Sequence, residues 1–98
     1  MKFKVELREQ VRRHYETLGL TYRREVKQAL KALSAGRGDI RPLEAPLEGY
    51  NRVKIGSHRL IFRHAEGGRI ICVYMNTRKL VYEIFEDEVA RRILGETR

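Results

Sequence analysis

One cysteine in the whole chain, Cys72, excludes an intrachain disulfide, and its place in the most apolar stretch makes it a small core residue rather than a reactive thiol or a metal ligand. Apolar runs are short everywhere. The opening MKFKVELREQ has no signal-like segment, and no stretch approaches the roughly 18 consecutive apolar residues of a membrane span. A cytoplasmic protein with no membrane partner is therefore expected. Both prolines fall in one connector, so none interrupts the patterned segments, and there is no internal repeat or low-complexity tract.

Acidic residues are also in short supply. Thirteen Asp and Glu against 21 Lys and Arg leave a formal charge of +8, which in 98 residues favours a polyanionic or acidic partner. Carboxylates spaced for glycosidic or two-metal chemistry are missing. His14, His58 and His64 have neither metal-ligand spacing nor a cysteine cluster beside them, so no metal and no cofactor are expected. A chain of this length builds one domain over residues 1–98 around one core, and its site must be an open groove or surface depression.

What is present is a run of β patterning from Tyr50 to Phe85. Asn51–Ile55, Arg59–His64, Arg69–Met75 and Leu80–Phe85 are separated by Gly56-Ser57, by Glu66–Gly68 and by a break near Asn76, which reads as an antiparallel meander. Alternation puts Val53 and Ile55 on one face with Leu60, Phe62 and His64. It leaves Arg52, Lys54, Arg59, Ile61 and Arg63 on the other. The run Ile70–Met75 is nearly all apolar, as a central strand would be.

Before the meander, Lys2–Leu7 alternates and predicts a strand that joins the later sheet. Arg8–Leu18 is helical, with Val11, Tyr15 and Leu18 on one side and Gly19 as its stop. Thr21 is placed to cap a second helix running to Ser34, buried along Val26, Ala29, Leu30 and Leu33. Residues 34–49 form a connector pinned by Ile40, Leu43 and Leu47, and Glu86–Leu94 predicts a short C-terminal helix. Helices and meander can both bury their apolar sides only if the two helices cover one sheet face. The expectation is an α+β domain with a β-α-α-β-β-β core, two N-terminal helices on one face of an antiparallel sheet, and the basic face left available.

Such a face suits RNA. A ribose 2′-hydroxyl can attack its adjacent phosphate if a base removes its proton, cations stabilise the pentacovalent oxyanion and a donor protonates the leaving 5′-oxygen. Lysine, arginine and tyrosine can divide these tasks. DNA lacks the 2′-hydroxyl, so the same platform on DNA implies binding only. His58, in the turn before Arg59, is expected to be exposed, as a further nucleic-acid contact with acid–base capacity.

The segment LEGYNRVKIGSHRLIFRH followed by RIICVYMNTRKLVY resembles the RelE/ParE superfamily of bacterial toxin components. The shared pattern is a leucine-rich lead-in, Arg-x-x-x-Gly-x-x-Arg, an apolar strand, and an arginine followed shortly by Val-Tyr, most specific over residues 47–82. The resemblance implies a RelE/ParE-like fold and a toxin neutralised by a cognate antitoxin protein. One branch is a ribosome-dependent messenger-RNA endonuclease (an mRNA interferase) that inhibits translation; another inhibits DNA gyrase by binding it; a third possibility is a non-toxic domain that binds a partner or nucleic acid.

By position, Lys54 resembles the family's proposed base or phosphate contact, and Arg59 a transition-state contact. Arg78 resembles the arginine after the central strand, and Tyr82 the tyrosine at the cleaved nucleotide. These four are the implied catalytic residues. Arg52, Arg63 and His58 are supporting nucleic-acid contacts. Arg52 stands where some nuclease members carry lysine and is too basic to act as a base. The Arg78–Tyr82 interval is shorter than in the best-known nuclease members.

Overall fold

The computed structural model describes residues 2–45, 47–77 and 95. The strand expected over Leu80–Phe85, the helix expected over Glu86–Leu94, and the site residues Arg78 and Tyr82 lie outside the described residues. Within them the order is β1 (Lys4–Leu7), α1 (Glu9–Thr17), α2 (Leu20–Ser34), β2 (Ile40–Pro42), β3 (Asn51–Ile55), β4 (His58–Ala65) and β5 (Arg69–Thr77). Five strands form one sheet in the order β1-β5-β4-β3-β2. From β2 to β5 each strand pairs antiparallel with the next, whereas β1 lies parallel to β5, so the sheet is mixed.

The two helices cover one sheet face, as the apolar periodicity requires. Val11 of α1 and Val26 and Leu33 of α2 pack into a core with Val53, Leu60, Phe62, Ile70, Cys72 and Met75. Burying a side chain of this size contributes about 1.5–3 kcal/mol, which dominates over the weak caps of both helices. Neither helix has a side-chain cap: Arg8 and Gly19 occupy the N-cap positions. Thr21 therefore does not cap α2. It lies inside the first turn, and the Gly19 carbonyl opens the helix by accepting from the Arg23 N–H at 2.9 Å.

The stretch 34–49 is more ordered than a connector. Ile40–Pro42 forms β2, an edge strand in the described sheet, where a proline costs no internal ladder bond. Beyond it, Leu43 N–H donates to the Tyr50 carbonyl at 2.9 Å, which closes residues 43–50 into a loop. This loop presses fully buried Leu47 and Tyr50 onto the far sheet face, against Ile61, Ile71, Val73 and Tyr74. That face was expected to be open and basic throughout; part of it is a second apolar core.

A bulge explains how β5 serves both cores. Ile61 pairs with Tyr74 but Phe62 pairs with Cys72, so one extra residue is inserted in β5. Cys72 and Met75 consequently face the helices, and Val73 and Tyr74 both face the 43–50 loop.

Candidate nucleic-acid interface

Cross-strand partners in an antiparallel ladder share a face, so register decides which cations meet. Lys54 lies opposite Arg59, and Arg59 opposite Asn76. One row along, Arg41 lies opposite Arg52, which lies opposite Ile61. Arg41, Arg52, Lys54 and Arg59 thus occupy one corner of the face away from the helices. Arg63 shares that face but pairs with Ile71, four residues from Arg59 and about 14 Å along the strand, with Ile61 between them. It does not join the corner.

The four cations differ in exposure. Lys54 and Arg41 are exposed, Arg52 is half-buried, and Arg59 is only 6% exposed. Gly56, at φ +57, supplies the left-handed residue of the β3–β4 turn, and Arg59 Nη1 donates to the carbonyls of Gly56 at 3.0 Å and His58 at 2.9 Å. One arm of the guanidinium therefore secures the turn that carries Lys54. Arg59 Nε and Arg52 Nη1 are buried without a hydrogen-bond partner among the described residues. Among the described residues, the carboxylate paired with Arg52 is that of Asp39, half-exposed at 3.9 Å, too far for a hydrogen bond. Buried donors on cations with no acceptor are costly, and an incoming anion would satisfy them.

His58 was expected to be exposed beside these cations. It is buried on the opposite face, because it pairs with Ile55 and follows that residue toward the helices. Its ring stacks edge-on against His14 of α1 at 5.2 Å and Tyr22 of α2 at 4.9 Å. Burial lowers its pKa, Glu25 opposing, and burial together with His58 lowers that of His14. A direct contact with a polyanion lying on the cation face is not available to His58 there. His64, expected on the helix side, stands exposed between Phe3 and Phe62 at the sheet margin.

Two residues of the site region escaped the sequence reading. Arg41 was hidden in the proline-containing connector, although Ile40-Arg41 already alternates inward and outward. Gln10 of α1 exchanges two hydrogen bonds with the Met75 backbone, both at 2.8 Å, and continues the edge of β5 past the end of β1. Beside it, a cleft of about 420 Å³ runs between α1 and β5, lined by Glu9, Gln10, Arg13, His14, Thr17, Val73 and Tyr74. Burial pushes the Cys72 thiol up to about 12, in keeping with a core role. Among the described residues no cluster of three potential metal ligands occurs. No helix among them is long and apolar enough to cross a membrane.

Two helices on one face of a five-stranded sheet of this order define an α+β domain with the fold of RelE-like toxins. Among solved structures, the chain is similar to the toxin–antitoxin complex RelBE2 of Mycobacterium tuberculosis, at 21% identity and TM-score 0.69 over 80% of this chain and 100% of that one. It is similar also to the archaeal RelE–RelB complex of Pyrococcus horikoshii, at 20% identity and TM-score 0.66 over 80% and 97% of the two chains. A double mutant of the Escherichia coli toxin RelE in the free state matches at 15% identity and TM-score 0.68, over 98% of each chain. No family model and no curated protein sequence matches.

Proposed function

We propose that this chain is a RelE/ParE-superfamily toxin acting in the cytoplasm as an mRNA interferase, held inactive by a cognate antitoxin. The carrying observation is the pairing of exposed Lys54 with Arg59, beside Arg52, on the sheet face opposite the helices. The shared fold with toxins crystallised in antitoxin complexes supports the same reading.

In this mechanism the neutral amine form of Lys54 accepts the ribose 2′-hydroxyl proton as the 2′-oxygen attacks the adjacent phosphorus. Arg59 stabilises the pentacovalent oxyanion, with Arg52 beside it as a supporting nucleic-acid contact. The bond from phosphorus to the 5′-oxygen then breaks as that oxygen takes a proton from water at the open site, leaving a 2′,3′-cyclic phosphate and a 5′-hydroxyl. Arg78 and Tyr82 enter as catalytic residues through the family resemblance alone, Tyr82 at the cleaved nucleotide. So open a surface needs a second one to orient its substrate, and the ribosome carrying a translated message supplies it.

The test is induced expression with nascent protein synthesis and transcript 5′ ends measured together. Wild type should arrest translation and create new 5′ ends within translated messages, and Lys54→Gln should lose roughly 10²-fold or more of the cleavage. Continued protein synthesis with early loss of supercoiling would replace this reading with gyrase inhibition. Harmless expression at high level would leave a partner- or nucleic-acid-binding domain.

A further inference from the structure

Arg41 stands directly opposite Arg52 on the β2–β3 ladder. Two like charges at such a position have Cβ atoms about 4.5–5.5 Å apart and destabilise the pairing. Among the described residues nothing offsets this well. Asp39 reaches only Arg52, at 3.9 Å, and no ion pair involves Arg41 among the described residues. Arg41 is exposed on an edge strand, while Arg52 holds a buried Nη1 without a hydrogen-bond partner among the described residues. An anion bound between the two guanidinium groups would relieve their repulsion.

Its position says which anion. Arg52 lies two residues from Lys54 on the same face of β3, about 7 Å along the strand. That spacing is comparable to the separation of neighbouring phosphates in an extended single strand, and the face continues outward to Arg41 at the sheet edge. We infer that Arg41 and Arg52 form a second phosphate subsite, which holds the phosphate next to the one at Lys54 and Arg59 and so sets the path of a single-stranded RNA across β4, β3 and β2. This inference rests on the RNA reading of the basic face. Arg41 is a positioning residue for the strand, remote from the reacting atoms.

The probe is a fluorescent 12-nucleotide single-stranded RNA with 2′-O-methyl groups throughout, which cannot be cleaved by 2′-attack. Its affinity is measured by anisotropy between 50 and 200 mM KCl for the wild type, Arg41→Gln, Lys54→Gln and Lys27→Gln, the last a control on exposed α2. Arg41→Gln and Lys54→Gln should each weaken binding and lower the slope of log K against log salt by about 0.7, one phosphate contact on a single strand. Lys27→Gln should match wild type. Without RNA, Arg41→Gln should melt at or slightly above the wild-type temperature, a gain in stability joined to a loss of binding that a purely structural arginine would not show.

An unchanged slope for Arg41→Gln beside a reduced one for Lys54→Gln would overturn the subsite and leave the basic-face reading standing. Failure of the wild type to bind the RNA at any salt would overturn both.

Discussion

Gln10 and Met75 are joined as two paired strands would be: the Gln10 Nε2 donates to the Met75 carbonyl and the Met75 N–H donates to Gln10 Oε1, each at 2.8 Å. β1 stops at Leu7, opposite Cys72, so the rest of β5 would present an open edge there. A side-chain amide from the first turn of α1 takes the place of the missing peptide. Removing it strands a donor and an acceptor at a partly buried edge, at a cost of about 1–3 kcal/mol for each group left unmet. Gln10→Ala should therefore lower the urea midpoint by an amount equivalent to about 2–4 kcal/mol with unchanged m. A loss below about 0.5 kcal/mol, the range of an ordinary surface change, would show that water replaces the amide freely.

Lys54 and Arg59 face one another but should fail in different ways. Lys54 is exposed, so Lys54→Gln should abolish toxicity with stability inside about 0.5 kcal/mol of wild type. Arg59 is buried with two carbonyls on one nitrogen, and Arg59→Gln should cost about 1.5–3 kcal/mol in addition to activity. Paired chemical denaturation and growth assays check the contrast. Equal stability losses in the two variants would contradict the turn-holding role of Arg59.

The junction of His14, His58, Tyr22 and Glu25 ties both helices to the β3–β4 turn and should make the fold acid-sensitive. Both imidazoles have pKa values below the ordinary 6.5 in the folded chain, mainly through burial. Below about pH 6.5 the unfolded chain therefore binds more protons than the folded one, and stability falls as pH falls. Above that pH the contribution is complete. Melting temperatures from pH 7.5 to 5 should decline more steeply for wild type than for His58→Phe, which removes one of the two titrating rings. Parallel curves would remove the pair as the source of acid sensitivity.

Cys72 should be silent in the native protein. With its pKa pushed from 9.0 up to about 12, the thiolate fraction at a given pH falls about a thousandfold, and the side chain is fully buried besides. Iodoacetamide should label it only in denaturant. Rapid native labelling would mean that β5 opens readily between β1 and β4.

Much of the fold was legible in the sequence because the meander and the helices rest on local patterns. The alternation of Val53 and Ile55 against Arg52 and Lys54, and the helical stripe Val26, Ala29, Leu30 and Leu33, report burial through strand and helix periods that neighbours do not alter. The Gly56-Ser57 turn was legible too, but alternation left the register open, and the pairing of Lys54 with Arg59 came from the structure. Composition alone also excluded an intrachain disulfide.

Tertiary structure decided the rest, through contacts between residues far apart in the chain. The alternation of β5 fails at Val73 and Tyr74 because a bulge satisfies two cores at once, and no local pattern announces it. The 43–50 loop covers the second face because Leu47 finds Ile61 and Tyr74 there. His58 turned inward because α1 and α2 offered it a slot. Arg41 came to lie against Arg52 only when β2 paired with β3, which a proline-bearing segment does not declare. That the chain carries a basic face was written in its sequence; which cations share a corner of it depends on strand register, which long-range packing selects.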